Sequence, residues 1–282
     1  MQSIELTADQ RYLHCVRFEP QQPPCATLVI AAALGVKQRF YQPLAKWLCE
    51  QGYRVITFDY YGIGQSLDKP IQRIDTDIIQ WAEQDINRVL AYAIDCQDDE
   101  PLLYLAHSLG GQIVALADNA AAIDKMVTVA SGTGYWRNAS QQVRRTSWLL
   151  WYFAVPISTP IAGYFPGKKL RMVGDMPANA MRQWSRWCRS KDYLFDHLDA
   201  QQQQRYAAFD RPITAFHISD DELLKRDNIE NLLAHYPNAP STLNDLTPSM
   251  TPHEGIGHFN LFRSEFKHSL WQNHLLPALR LD

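Results

Sequence analysis

Leu103-Tyr-Leu-Ala-His-Ser108-Leu-Gly-Gly111 is the stretch on which the reading of this chain turns. It passes from a strand-like apolar run straight into a helix-like one, with a single serine at the junction. In a strand–turn–helix context, small-x-Ser-x-Gly marks a sharp turn that strains the serine backbone and pushes its hydroxyl outward. The residues two before and two after must be small because strand and helix pass closely. Here they are Ala106 and Gly110. The following helix aims its N-terminus at the same point, so the Leu109 N–H is placed to donate to a developing oxyanion. The plainer reading of Ser108 is a helix N-cap.

Working outward, the surrounding chain alternates short β-like runs with longer helical ones. Residues 27–33, 54–58, 102–106 and 125–130 read as strands buried on both faces. Residues 11–18 alternate roughly and read as a half-exposed strand. Phe40, Leu44, Trp47 and Leu48 recur at helical spacing, and Gly52 closes that helix. Ile78, Ala82, Ile86, Val89, Leu90 and Ala93 put one apolar face on a helix over 75–94. Residues 110–119 read as helix. The rhythm implies an α/β fold with a mostly parallel sheet covered on both sides. It breaks at Gly132-Thr-Gly134 and resumes at 213–218 (strand) and 227–236 (helix), followed by a C-terminal helix from about Asn260 to His274.

The interruption has its own composition. Residues 134–206 hold five of the eight tryptophans, with eleven Lys/Arg against four Asp/Glu, a net of +7. The remainder holds sixteen against twenty-six, a net of −10. We therefore divide the chain into a core of 1–133 and 207–282 and an insertion of 134–206. Overall, 282 residues with net charge −3 and 46% hydrophobic content describe an ordinary globular protein. Neither nucleic acid nor a charged membrane surface is called for. The cysteines, Cys15, Cys25, Cys49, Cys96 and Cys188, form no CxxC pair, and no ligand spacing suggests a metal. The start shows no signal peptide, and the most apolar stretches, 26–36 and 148–156, fall short of the about 20 residues of a spanning helix. A cytoplasmic protein without an integral membrane segment is the simplest expectation. Oligomeric state is not legible.

A serine hydroxyl needs a base within reach, and the base needs a group that fixes its tautomer. Of nine histidines, His258 stands apart, in the glycine-flanked loop Glu254-Gly-Ile-Gly-His-Phe-Asn260. His107, beside the serine, is expected to point away from it and play a structural or wall role. The acid is expected after the strand at 213–218, where Ser219-Asp-Asp-Glu222 follows. Asp221 is the first choice and Asp220 the second. A solvated acidic turn with a helix N-cap is the plain alternative. A second oxyanion donor is expected from the loop after the first buried strand, Ala31-Ala-Ala-Leu-Gly-Val36, with Leu34 the candidate.

Together these residues resemble the α/β-hydrolase superfamily over nearly the whole chain. Phe58-Asp-Tyr-Tyr-Gly-Ile-Gly-Gln-Ser66 is similar to the Asp-x-Arg-Gly-x-Gly-x-Ser loop of esterases, monoacylglycerol lipases and proline iminopeptidase-like members. Residues 106–111 resemble their Gly-His-Ser-Leu-Gly-Gly elbow, and Gly257-His258 their C-terminal Gly-His. Departures are Ala32-Ala33 for His-Gly, Tyr61 for Arg, and Ala106 for Gly. The resemblance implies an α/β-hydrolase fold, a Ser/Asp/His triad of Ser108, Asp221 and His258, no cofactor, and a helical lid formed by the insertion. The expected activity is cleavage of a small or lipid-like carboxylic ester through an acyl-enzyme on Ser108. An aminopeptidase or amidase, or an acyltransferase on the same triad, stands beside it. A non-catalytic binding protein that kept the fold is the third class.

Overall fold

The computed structural model describes residues 1–8, 11–139, 141–170 and 174–281. Its strands are β1 (Gln2–Ala8), β2 (Arg11–Phe18), β3 (Ala26–Ala31), β4 (Tyr53–Phe58), β5 (Leu102–His107), β6 (Lys125–Val129), β7 (Tyr164–Phe165), β8 (Met176–Pro177), β9 (Ile213–Ile218) and β10 (Ser241–Leu246). Eight of them form one sheet in the order β1-β2-β4-β3-β5-β6-β9-β10. Pairing is parallel from β4 through β10, and antiparallel only on the two sides of β2. This is the α/β-hydrolase fold, with helices over a sheet whose central strands β3, β5 and β6 are buried throughout.

Register places the functional edge. Ala31 pairs with Ala106, Ala106 with Thr128, and Thr128 with Ala215. One row of small residues thus crosses four parallel strands, and the loops that follow these strands leave from the same edge. Crevices at this edge are where open parallel sheets bind ligands.

The helix over 78–96 confirms its sequence reading. Asp77 caps it by accepting the Gln80 N–H, and Ile78, Ala82, Ile86, Val89, Leu90 and Ala93 are all fully buried. Strand β2 differs from its expectation, because it is largely buried and not half-exposed. Its polar residues are inside but partnered. The Arg11 guanidinium holds Asp85 at 2.8 Å and lies over the Tyr61 ring at 4.5 Å. Burial nevertheless pushes the Asp85 carboxyl up to about 6, with Arg11 pulling it back down. His14 contacts Ser3 Oγ and the Gln38 amide.

Other expectations are corrected. The helix after Ser108 spans only Leu109–Ile113 before tightening into 3₁₀ turns. The last helix begins at Lys267, after a separate short turn at Gly257–Asn260. Gly163, in the left-handed region at φ +75°, leads into a two-stranded antiparallel ribbon of β7 and β8. Strands β1 and β10 were not anticipated. Both lie at sheet edges and carry mostly polar side chains, which mutes the apolar signal.

Between β6 and β9 the chain leaves the sheet. It is helical over 141–162, with one wide π turn at Leu150–Ala154, and helical again at Ala178–Arg189 and Ala200–Ala208. Trp151 and Trp184 pack edge to face at 4.8 Å. The Gln183 side chain accepts the N–H groups of Ile78 and Ile79 at the start of a core helix. Tyr193 donates to the Gln112 side chain and Tyr206 to its carbonyl, so two tyrosines anchor this segment on the helix that follows Ser108.

Candidate active site

Ser108 sits at φ +50°, ψ −112°, a region that side-chain-bearing residues avoid. Its N–H donates to the Val129 carbonyl of β6, which pins the turn to the sheet. Gly110 has no alternative here, since a Cβ would lie 2.8 Å from both the Cβ and the carbonyl oxygen of Ala31. The close approach of strand and helix anticipated from sequence is therefore literal.

The loop that carries His258 is held by the three adjacent acids, each on a different group. Asp220 accepts the N–H groups of Ile256 (2.8 Å) and Gly257 (3.3 Å). Glu222 accepts the His258 N–H at 3.1 Å. Asp221 Oδ2 lies 2.7 Å from His258 Nδ1, and its other oxygen accepts from the N–H groups of Leu223 and Leu224. Both side chains of the Asp221–His258 pair are almost wholly buried. A carboxylate only accepts, so His258 carries its proton on Nδ1 and leaves Nε2 as the basic position. Asp221, not Asp220, meets the ring. The acidic run fastens the loop that carries His258.

His107 links the parts. Its Nε2 donates to the His258 carbonyl at 2.9 Å, so in the neutral ring Nδ1 is an acceptor. The Tyr41 hydroxyl donates to that Nδ1 at 2.8 Å and itself accepts the Ala33 N–H at 2.9 Å. Burial drives His107 well below the ordinary imidazole range, with the neighbouring His258 adding to it, which keeps the ring neutral. One chain of three hydrogen bonds thus runs from the residue before Leu34, through the residue before Ser108, to the backbone of His258. Tyr41 was not singled out in sequence; it stands at the start of a helix (Gln42–Glu50) whose periodicity explains it as core.

The loop at Leu34 is held from its far side. Asp59 accepts the N–H groups of Gln38 (2.7 Å) and Gln65 (2.9 Å), and Ser66 Oγ donates to the Asp59 carbonyl. Gly64 is required because a Cβ there would overlap the Asp59 carboxylate. The Asp-x-x-Gly-x-Gly-x-Ser stretch is thus a clamp on the loop leading from Leu34.

Leu34, Ser108, Leu109 and His258 all border one cavity of about 390 Å³, while Asp221 lies behind His258. Among the described residues no hydrogen bond joins the Ser108 hydroxyl to the His258 ring in this conformation. The outer wall comes from residues 134–206, including Trp136, Leu150, Trp151, Trp184 and Tyr193. Glu222 is the sole acidic residue among the described residues lining the cavity, and no lysine or arginine lines it. No group of described His, Cys, Asp and Glu residues could hold a metal ion.

Comparison with known proteins agrees with the fold. The chain is 31% identical over 128 residues to "Putative carbamate hydrolase RutD" of Yersinia enterocolitica, a match covering 44% of this chain. It spans only 41% of that relative's length. Among solved structures it resembles a soluble variant of monoglyceride lipase from Saccharomyces cerevisiae, with TM-score 0.62, 16% identity, and 100% of this chain and 96% of that one covered. It also resembles ferulic-acid-bound Est1E from Butyrivibrio proteoclasticus, with TM-score 0.59, 15% identity and 90% of each chain covered. Identities this low speak for the fold alone. The family described as serine aminopeptidase, S33 (Hydrolase_4) matches residues 22–247. That range takes in the elbow, its clamp and the acidic run, so the chain belongs to this family of α/β-hydrolases.

Proposed function

We propose that the protein is a serine hydrolase that cleaves a carboxylic ester with an apolar acyl group through an acyl-enzyme on Ser108. Ser108 Oγ attacks the carbonyl carbon while His258 Nε2 takes its proton. Asp221 holds the imidazole and stabilises the imidazolium. The N–H groups of Leu34 and Leu109 receive the oxyanion; that of Leu109 stands in the first turn of its helix, where such groups have no intrahelical partner. His258 returns the proton to the departing alkoxide, the alcohol leaves, and water hydrolyses the acyl-enzyme by the same steps in reverse. Closure of the Ser108–His258 hydrogen bond belongs to the substrate complex, as such contacts often tighten only there. Residues 134–206 act as a lid over a core of 1–133 and 207–282.

One observation carries the reading: the buried Asp221–His258 pair, 2.7 Å apart, borders with its ring the cavity onto which the positive-φ Ser108 opens. Substrate class follows from the lining. An aminopeptidase needs carboxylates to hold a free amine, and among the described residues the one lining acid, Glu222, already holds the His258 N–H. The tryptophans suit an acyl chain. The test is turnover of p-nitrophenyl esters of graded acyl length against aminoacyl anilides. Ester cleavage that Ser108→Ala abolishes is expected. Preferred anilide cleavage, or ester turnover unchanged in Ser108→Ala, overturns the proposal.

A further inference from the structure

The helical stretch over 141–162 is apolar on two sides. Its inner side packs inward through Leu150, Trp151, Val155 and Thr159, all buried. On its outer side Trp148, Leu149, Tyr152, Phe153, Ile157 and Ile161 are 46–80% exposed. Scattered exposed apolar residues are ordinary, but a contiguous row of this kind marks a contact surface. The row covers about 20 Å at the helical rise of about 1.5 Å per residue. Trp148 and Phe153 meet edge to face at 5.4 Å, so the row is continuous across the turn.

Positive charge accompanies this row. Arg144 and Arg145 are exposed one turn before Trp148, and the exposed Lys168 and Lys169 follow the helix in sequence, Lys168 paired with Asp175 at 3.2 Å. The Arg189 guanidinium lies over the Tyr152 ring at 5.5 Å. None of these cations lines the cavity, so the segment's charge of +7 serves the outside.

We propose that this face docks on an anionic lipid bilayer, with the row seated at the headgroup–acyl boundary and the arginines and lysines on the headgroups. An apolar stripe with a basic rim is the pattern that lies in a membrane interface plane. No described helix is long and apolar enough to cross a membrane, so the contact is peripheral. A second copy seated face to face would bring two segments of +7 together, which disfavours that occupant. The inference does not depend on the esterase reading, although the inner side of the same helix walls the cavity.

Flotation of the full chain with phosphatidylcholine vesicles, with and without phosphatidylserine, tests it. The chain is expected to float with the anionic vesicles, and about tenfold or more weakly with neutral ones or at high salt. Leu149→Ser combined with Phe153→Ser, neither of which lines the cavity, should lower anionic binding about tenfold or more. Turnover of a water-soluble short-chain ester should stay unchanged. If that variant does not fold, Arg144→Gln with Arg145→Gln reads the same face and should abolish the preference for phosphatidylserine. Absence of flotation by the wild type overturns the proposal. So does equal flotation of a folded variant, or a wild-type dimer that Leu149→Ser/Phe153→Ser makes monomeric.

Discussion

The C-terminal edge of the sheet and the segment between β6 and β9 face each other across one cavity and use their polar groups in opposite ways. At the sheet edge the polar groups are committed, whether buried like Asp59, Tyr41 and His107 or exposed like Asp220 and Glu222. Asp59, Asp220, Asp221, Glu222, Tyr41 and His107 each hold a neighbouring loop or ring. The segment instead lines the cavity with Trp136, Trp151, Trp184 and Tyr193 and keeps its cations out of it. On the proposed reading, rigid positioning belongs to the first region and selection of an apolar group to the second. Buried hydrogen bonds fix geometry because an unmet partner is costly, whereas apolar walls fix shape and hydrophobicity only.

Substitutions on the two sides should therefore fail differently. The largest effect is expected from Asp221→Asn, a drop in kcat of about 10³–10⁴-fold, as loss of the tautomer-fixing acid produces elsewhere. Asp220→Asn, which loosens only the 256–257 backbone, should cost about tenfold or less. Steady-state kinetics on one ester separate them, and equal losses would erase the distinction drawn between the two acids. Tyr41→Phe should come next. It removes the donor to His107 Nδ1 and the acceptor of the Ala33 N–H, so kcat should fall about tenfold with KM nearly constant, and stability by about 1–3 kcal/mol in denaturant titration. A change confined to KM would place Tyr41 on the selective side instead. The smallest effect on the chemical step should come from Trp184→Ala. KM for long acyl chains should rise several-fold while kcat on short esters stays within about twofold. A loss of kcat across all chain lengths would move this wall into the positioning machinery.

Sequence made the sheet edge more legible than the segment opposite. The elbow constrains residue size at fixed offsets, and the buried strands are apolar runs between turn signals. Asp221 could be ranked above Asp220 but not separated from it, because both follow the same strand, and only the fold shows which carboxylate meets the ring. Tyr41 was hidden because a buried aromatic at a helix start looks like core. Strand β2 was misjudged because Arg11 and His14 look solvent-facing until their partners, Asp85 and Gln38, come in from 74 and 24 residues away. The segment was recognised by composition, not by pattern. A helix apolar on two sides gives no periodic signal of which side is buried, so the exposure of Trp148 and burial of Trp151 emerge only from packing.

The central claim is that His258, oriented by Asp221, makes the Ser108 hydroxyl a nucleophile. Labelling with a fluorophosphonate probe, read by intact mass and peptide mapping, tests it most directly. A single adduct on Ser108 is expected, absent in Ser108→Ala and much slower to form in His258→Ala. Folded wild-type protein that takes up no probe, or an adduct that persists in Ser108→Ala, would contradict the account.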